Sequence, residues 1–209
     1  MKKVMLSAAV CAMAFSVNAK DVEEAAVCTS AFNSIYAGLG IGGSFLKTDG
    51  SYKNDKGEEK KFKANRFMGS FVLGAGKVFN NRVYLGGEFL ADFMKNKKWE
   101  DASNGDNWQS KGFIPQIDAK IGYAFKNDSL IYGKLGCAWS KISEYDKSED
   151  KSDSKTKAAF VLGLGAEKAF CKKFSVALEG DYNFGWKWDD ARCNKGWSVR
   201  ALVKYNVKY

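Results

Sequence analysis

The chain has 209 residues, and 33 Lys and Arg against 24 Asp and Glu give a net charge of +9 at pH 7. It contains no histidine, which excludes every catalytic mechanism that uses histidine as a general base. Twenty-one glycines, a single proline and 14% aromatic residues favour many strands and few helices.

The first residues have the three parts of a secretory signal peptide. Lys2 and Lys3 give a basic start, residues 4–15 are mostly apolar, and small residues precede a cleavage point that we place after Ala19. The apolar run is too short to span a bilayer, which argues against a membrane anchor. No later run is long enough for a membrane helix, so a membrane location would require a closed barrel.

Eight runs of alternating apolar and polar residues follow a mixed segment at residues 20–34, which we interpret as a periplasmic lead-in. A period of two predicts strands with one apolar and one polar face. Leu202 alone interrupts the last run, which has aromatic residues at both ends of its apolar face. The eight runs cover residues 35–45, 66–79, 83–94, 112–125, 130–142, 158–170, 174–188 and 197–209.

The connections between the runs alternate between long and short. Tight turns are expected at residues 80–82, 126–129 and 171–173, whereas the long connections are residues 47–64, 95–111, 144–157 and 189–196. Short turns, long loops and an even number of strands are typical of barrels that span a bacterial outer membrane. Residues 35–209 therefore predict an all-β domain: an eight-stranded antiparallel up-and-down transmembrane β-barrel. A soluble meander, the alternative, would mix long and short loops without order.

The long connections intermix lysine with acidic residues, as in residues 47–64 and 144–157. We expect them to be solvated and mobile. Interleaved acids also argue against a basic surface for nucleic acid, so no nucleic-acid partner is expected.

Aromatic residues should cluster at two heights if the apolar face meets lipid. Taking the strand directions from the order of loops and turns sorts them in this way. The loop end of the predicted barrel has Trp139, Trp186, Trp188 and Trp197, and the turn end has Phe125, Tyr205 and Tyr209.

The polar face of the runs is rich in glycine and carries isolated charges. An eight-stranded lumen is just wide enough for side chains to fill, and buried charges are tolerated only when they are paired. We therefore predict an ion-pair network that plugs the lumen; an ion pathway lined by the same groups is the alternative. The residues are Glu88, Asp92, Asp118, Lys120, Lys134, Glu167, Glu179, Asp181, Arg200 and Lys204.

A glycine-rich motif and the cysteines do not indicate a function. Residues 38–43 match the pattern G-x-G-x-x-G, but they lie inside an alternating run and not between a strand and a helix, so no dinucleotide site is expected. Among the cysteines after Ala19, the predicted topology brings only Cys28 and Cys171 to the same end, which makes them the one easy disulfide. The cysteine spacing matches no metal motif, and we expect no metal and no cofactor.

Together, the signal peptide, the eight runs, the aromatic girdles and the terminal Tyr209 resemble the OmpA-like family of small outer-membrane β-barrels. This broad group includes OmpX-type and opacity-type surface proteins. The resemblance covers the barrel alone, without the peptidoglycan-binding domain that follows the barrel in full-length OmpA-type proteins. It implies a Gram-negative outer membrane, with membrane lipid around the barrel and insertion by the barrel assembly machinery.

The resemblance implies a structural or surface-interaction role, in which the loops meet host or environmental ligands outside the cell. A narrow porin-like pore is one alternative. A soluble lipocalin-like carrier, which would need its apolar face turned inward, is another. Small outer-membrane enzymes such as the lipid A acyl-modifying barrels and omptin-like proteases depend on histidine, so we expect no enzyme.

Overall fold

The computed structural model describes residues 31–53, 59–100, 107–110, 112–146, 151–171, 173–184 and 194–208. None of these residues forms a helix long and apolar enough to cross a membrane. They form the strands β1 (Ser34–Lys53), β2 (Glu59–Val78), β3 (Val83–Met94), β4 (Lys97–Glu100), β5 (Asn107–Ser110), β6 (Phe113–Ala124), β7 (Ser129–Asp146), β8 (Lys151–Cys171), β9 (Phe174–Asn183) and β10 (Asn194–Lys208).

Eight of these strands close into an antiparallel barrel. Each strand pairs with its neighbour in the order β1, β2, β3, β6, β7, β8, β9 and β10, and β10 pairs back on β1. Closure gives the backbone of each strand a partner on both sides, which a spanning sheet needs where water is absent. The predicted fold class is therefore confirmed. β4 and β5 are a short extra pair, and β5 also pairs antiparallel with the last residues of β7.

Four barrel strands extend well beyond their predicted loop ends. β1 pairs with β2 as far as Lys53 and Glu59, and β7 pairs with β8 as far as Asp146 and Lys151. The prediction that these segments are loops is wrong for the described residues. Backbone hydrogen bonds of a two-stranded ribbon need no apolar face, so the alternation stops before the pairing does.

Tight turns close the opposite end of the barrel, which we call the turn end. In the turn before β3, the Arg82 amide donates to the Phe79 carbonyl at 2.8 Å, and Arg82 has a φ of 65°. Asp128, just before β7, has a φ of 56°. At the other end, the loop end, Gly196 has a φ of 146°, and a Cβ there would lie 2.2 Å from the Phe45 carbonyl oxygen.

The two faces of the wall differ as the alternation predicts. Leu39, Phe67 and Leu164 point outward, and each is about 70% exposed. An apolar surface of this kind suits lipid and not water. Leu202, which interrupts the apolar pattern of β10, points into the lumen and is fully buried.

Apolar side chains also line parts of the lumen. Tyr36, Val72, Leu90, Ala177 and Leu202 form one cluster, and Leu46, Ile114, Ala138 and Val161 form another. A third cluster contains Ala31, Phe32, Tyr84, Ala124, Leu130, Tyr132 and Ala169. The last cluster includes the chain just before β1, because Ala31 and Phe32 are buried against the wall.

The boundary between lead-in and barrel differs slightly from the prediction. β1 begins at Ser34, one residue before the predicted strand, and the Asn33 side-chain oxygen accepts a hydrogen bond of 2.6 Å from the Val78 amide. The end of the lead-in is therefore attached to the barrel. The signal peptide at residues 1–19, its cleavage at Ala19 and the rest of the lead-in to residue 30 lie outside the described residues.

Candidate functional site

The lumen is the candidate site, since the structure places all ten sequence-predicted charged residues in it. Every one is buried, with at most 7% of its surface exposed. They come from β3, β6, β7, β8, β9 and β10, so their side chains meet from several parts of the wall. The acids among them number six and the bases four: Glu88, Asp92, Asp118, Glu167, Glu179 and Asp181, with Lys120, Lys134, Arg200 and Lys204.

Glu179 lies at the centre of this set. Its carboxylate is 3.0 Å from the Lys120 ammonium and 2.7 Å from the Lys134 ammonium. The two lysines are directly opposed on β6 and β7, where like charges repel. A carboxylate from β9 that contacts both makes this arrangement stable. Lys120 also contacts Glu88, at 2.5 Å.

Lys134 and Arg200 connect the centre to the acids nearer the loop end. The Lys134 ammonium is 3.1 Å from Asp118. The Arg200 guanidinium donates to Asp92 at 2.9 Å and to Asp181 through its other terminal nitrogen. A guanidinium has five donors in a planar fork, which lets one side chain bind two carboxylates at once.

Lys204 extends the network toward the turn end. Its ammonium donates to Glu167 at 2.8 Å, and Glu88 and Glu179 lie at 3.7 and 3.8 Å. Ser175 also donates to Glu167, at 2.5 Å. Each of the four bases thus contacts at least two carboxylates, and the ten residues form one connected network.

Tyrosines and uncharged polar side chains complete the network, and the sequence analysis did not include them in the site. The hydroxyls of Tyr36 and Tyr132 donate to Glu88 at 2.9 Å and to Glu179 at 2.5 Å. The Lys120 ammonium lies 4.5 Å from the centre of the Tyr132 ring, which adds a cation–π contact. The sequence position of each tyrosine could have indicated that it belongs to the site, because each one lies on the polar face of its run.

Ser70 and Gln116 are further partners that the sequence analysis missed. Ser70 donates to Asp92 at 2.6 Å, and the Gln116 amide donates to Asp118 at 2.8 Å. A charge needs such donors in addition to its ion pair when it is fully buried. Ordinary polar residues on the lumen face therefore belong to the site.

Glycines on the lumen face provide the space that the tyrosine rings occupy. A Cβ at Gly76 would lie 2.2 Å from the Tyr84 hydroxyl, and one at Gly165 would lie 2.4 Å from the Tyr132 ring. Both distances are shorter than any real contact, so a side chain at either glycine would displace a ring. Glycine next to a large residue is how this narrow lumen is filled.

The structure describes four of the seven predicted girdle residues, all on the wall. Trp197 at the loop end is 60% exposed and packs against Tyr182, with ring centres 4.7 Å apart. Trp139 is partly buried. At the turn end Phe125 and Tyr205 are exposed, and Tyr205 contacts Phe174 edge-on at 5.2 Å. Trp186, Trp188 and Tyr209 lie outside the described residues.

The predicted disulfide stays a prediction, because Cys28 lies outside the described residues. Cys171 is the last residue of β8, and the structure describes only its backbone. Cys137 lies on the exposed side of β7. Across the described residues, no three His, Cys, Asp or Glu side chains are arranged to hold a metal ion.

The model of one protein family, the outer membrane protein beta-barrel domain, matches residues 7–194. The chain belongs to this family. It is therefore a protein of the bacterial outer membrane. A search of curated proteins gives no match.

Forty-seven chains of solved structures match this outer-membrane barrel. Neisserial surface protein A is 10% identical, with a TM-score of 0.54, and the match covers 83% of this chain and 97% of that one. Ail, the attachment invasion locus protein of Yersinia pestis, is 18% identical, with a TM-score of 0.49 and coverages of 83% and 98%. The N-terminal β-barrel domain of Pseudomonas aeruginosa OprF is 15% identical, with a TM-score of 0.42 and coverages of 84% and 98%. The likeness to the neisserial protein concerns the fold alone.

Proposed function

We propose that this outer-membrane barrel is a sealed anchor that presents its long hairpins outside the cell, where they contact host or environmental surfaces. The observation that carries the proposal is the filled lumen. Ten charged side chains contact one another there, and apolar clusters that include Leu46 and Phe32 occupy other parts of the same interior. If the lumen conducts no ions, the external surface is the part of the barrel that can interact with other molecules.

The lengths of the strands support the outward orientation of the loop end. β1 and β2 have 20 residues each, whereas about 9–11 residues suffice to cross a bilayer. Roughly half of this hairpin therefore projects beyond the lipid. Outer-membrane barrels place their short turns in the periplasm and their long connections outside.

The partners follow from the same surfaces. Membrane lipid surrounds the exposed apolar face, and the barrel assembly machinery inserts the chain. The ligands outside the cell bind the hairpins β1–β2 and β7–β8. The chain has no histidine for the chemistry of known small outer-membrane enzymes, so the proposed role includes no catalysis.

A narrow pore is the second candidate, and the charge on the lumen wall is the observation in its favour. Groups such as Lys134 and Glu179 would line the ion path. Their side chains are fully buried and 2.7 Å apart, which supports a plug over a path. The soluble carrier has no such support, since it needs an inward apolar face and the structure places that face outward.

Conductance of the refolded protein in planar lipid bilayers tests the seal. We expect no single-channel steps above the lipid background for the native chain or for Lys134→Met. Steps in the native chain that disappear in Lys134→Met would establish a pore through this network and overturn the anchor.

Adhesion of cells that display the protein tests the surface role. In the test variant, a two-residue Asn-Gly turn replaces residues 144–153, which shortens the β7–β8 hairpin and leaves the lumen unchanged. We expect this variant to lose most of the binding to epithelial cell layers that the native chain confers. A gel shift between boiled and unboiled samples verifies that both barrels fold. Equal adhesion, or hairpins that external protease cannot cut on intact cells, would contradict the proposal.

A further inference from the structure

The lead-in enters the barrel at the turn end, where its last residues belong to the packed interior. Ala31 is 6% exposed and Phe32 is 4% exposed, and both belong to the buried cluster that includes Ala169 on β8. The Asn33 side-chain oxygen accepts the hydrogen bond from the Val78 amide at 2.6 Å. The place where the lead-in meets the barrel is therefore fixed, and this limits what the residues before it can reach.

The end of β8 lies within that reach. Cys28 precedes Ala31 by three residues, and three residues span at most about 10 Å. Cys171 follows Ala169 by two residues, on a strand that rises about 3.3 Å for each residue. Two cysteines can form a disulfide when their Cα atoms are about 4.4–6.8 Å apart. A chain that continues from Ala31 along the rim of β8 brings Cys28 into this range of Cys171.

The other two cysteines after Ala19 lie far from the turn end. Cys137 is on the outer wall, in the paired part of β7, where its neighbours across the strands are Ile117 and Phe160. Cys193 directly precedes the first residue of β10, which is at the loop end. Cys171 is therefore the one cysteine that Cys28 can approach without displacing the end of the lead-in from the barrel.

The lead-in and the tight turns have opposite charges. Residues 20–30 contain three acids and one base. The turns at residues 80–82, 126–129 and 171–173 contain four bases and one acid. Ion pairs between exposed side chains are individually weak, so the charges favour a position of the lead-in over the turns without being sufficient to hold it there. A covalent bond would supply what they lack.

We propose that residues 20–30 dock across the turn end of the barrel and are fixed there by a disulfide between Cys28 and Cys171. The bond forms between the two Sγ atoms. The two thiols lose two protons and two electrons to an external disulfide, which is itself reduced to two thiols. Exported bacterial proteins pass through a compartment in which such oxidising disulfides are maintained.

The docked lead-in covers the point at which a chain of polar side chains leads into the ion network. The Ser34 hydroxyl is 3.4 Å from Asn206, and the Asn206 amide donates to Ser175 at 3.1 Å. Ser175 donates to Glu167 at 2.5 Å, and Lys204 donates to Glu167 at 2.8 Å. A segment fixed over this end of the lumen keeps water from these buried charges.

Peptide mapping of the chain extracted from outer membranes tests the disulfide. Free thiols are alkylated under denaturing conditions, and the chain is then cut with trypsin without reduction. Trypsin cuts after lysine and arginine, so each of the four cysteines falls in a different peptide: residues 21–47, 135–141, 169–172 and 193–195. We expect the peptides 21–47 and 169–172 to be joined and to separate on reduction. Four alkylated cysteines, or a bond from Cys28 to either of the other two peptides, would overturn the proposal.

Cleavage of the folded, detergent-solubilised barrel by a glutamate-specific endoprotease tests the docking. This protease cuts the lead-in after Glu23 and Glu24. We expect Cys28→Ser to be cut roughly tenfold faster than the native chain, because cleavage requires the segment to leave the surface. Cys193→Ser is the matched control and should be cut at the native rate, and a gel shift between boiled and unboiled samples verifies that each variant folds. Equal rates for Cys28→Ser and the native chain would contradict the docking.

The contribution of the turns is measured where the disulfide is absent. In the Cys28→Ser chain, adding Arg82→Gln and Lys126→Gln should raise the cleavage rate by roughly a factor of two, since weak ion pairs with the lead-in are lost. Adding Lys141→Gln, at the loop end, should leave the rate unchanged. The same rate in both combinations would show that the turns do not bind the lead-in.

Discussion

The lumen and the outer wall of this barrel are built from the same strands, and neighbouring residues often belong to opposite environments. Lys204 is fully buried among carboxylates, whereas Val203 is 54% exposed on the outer wall. The lumen depends on specific pairing, because each charge needs a partner at a defined distance. The outer wall depends mainly on apolar character, because lipid acyl chains are as apolar as leucine side chains and offer no polar partner. Substitutions should therefore have very different effects on the two sides.

The largest effect is expected in the lumen, from Glu179→Ala. This change removes the carboxylate that Lys120 and Lys134 share, so these two opposed cations lose the group between them and the Tyr132 hydroxyl loses its acceptor. The free energy of unfolding should fall by about 3–5 kcal/mol, measured by urea titration in lipid vesicles with tryptophan fluorescence. Glu179→Gln, which keeps a hydrogen-bond acceptor for Tyr132, should lose less. A loss of less than about 1 kcal/mol in the alanine variant would mean that the lumen tolerates substitutions as well as the wall does.

A charge placed on the wall gives the next largest effect. Leu164 lies on the outward face of β8, in the middle of the alternating run at residues 158–170, and Leu164→Arg should lower the free energy of unfolding by about 2–4 kcal/mol. Ala158→Arg is the matched control on the same strand, opposite Trp139 near the loop end. Its cost should be about 0–1 kcal/mol, because the guanidinium reaches the headgroups. Equal costs at the two positions would show that Leu164 does not face the middle of a bilayer.

Leu202→Ala tests the apolar part of the lumen. Leu202 is fully buried beside Val72 and Leu90, so the truncation leaves a cavity that lipid does not fill. We expect a loss of about 2–3 kcal/mol of unfolding free energy in the same urea titration. Val203→Ala, one residue along and on the wall, should cost less than about 1 kcal/mol. The reverse order would place the apolar core of the barrel outside.

Cys137→Ala should have the smallest effect. Cys137 is exposed on the wall of β7, and the change keeps an apolar side chain toward the lipid. The expected change in unfolding free energy is within about 0.5 kcal/mol, with the thermal midpoint nearly unchanged. A loss above 1.5 kcal/mol would show that this sector of the wall makes specific contacts and is not simply in contact with lipid.

Much of the fold could be predicted from the sequence because the membrane imposes period two on every strand that crosses it. That constraint ends outside the membrane. The sequence around Lys53 and Glu59, which are paired in the structure, therefore shows no apolar alternation from which the strands could be predicted. The charged lumen residues were recognisable as isolated charges on a glycine-rich face. The pairing of individual acids with individual bases could not be predicted. The contact of Glu179 with Lys120, for example, depends on closure of the barrel and on the stagger between strands.

The positions where the alternation failed carried information of their own. Met68, Val72 and Leu202 interrupt the apolar pattern of their strands, and all three are fully buried in the lumen. An interior of eight strands has room for few side chains, so it combines apolar clusters with the ion network. Tyr36 and Tyr132 gave a similar signal, as large aromatic side chains on the face assigned to polar residues.

The seam between β1 and β10 has a consequence for the order of folding. Ser34 pairs with Lys208, so the two strands of the seam are separated in the sequence by all the other strands of the barrel. Contacts this distant in sequence form slowly, because the chain between them must lose conformational entropy before the contacts can stabilise the fold. We therefore expect the seam to close late in folding, and until then both β1 and β10 expose an unpaired edge. During that interval the two edges can pair with other chains, so this is the stage of folding at which aggregation is most favoured.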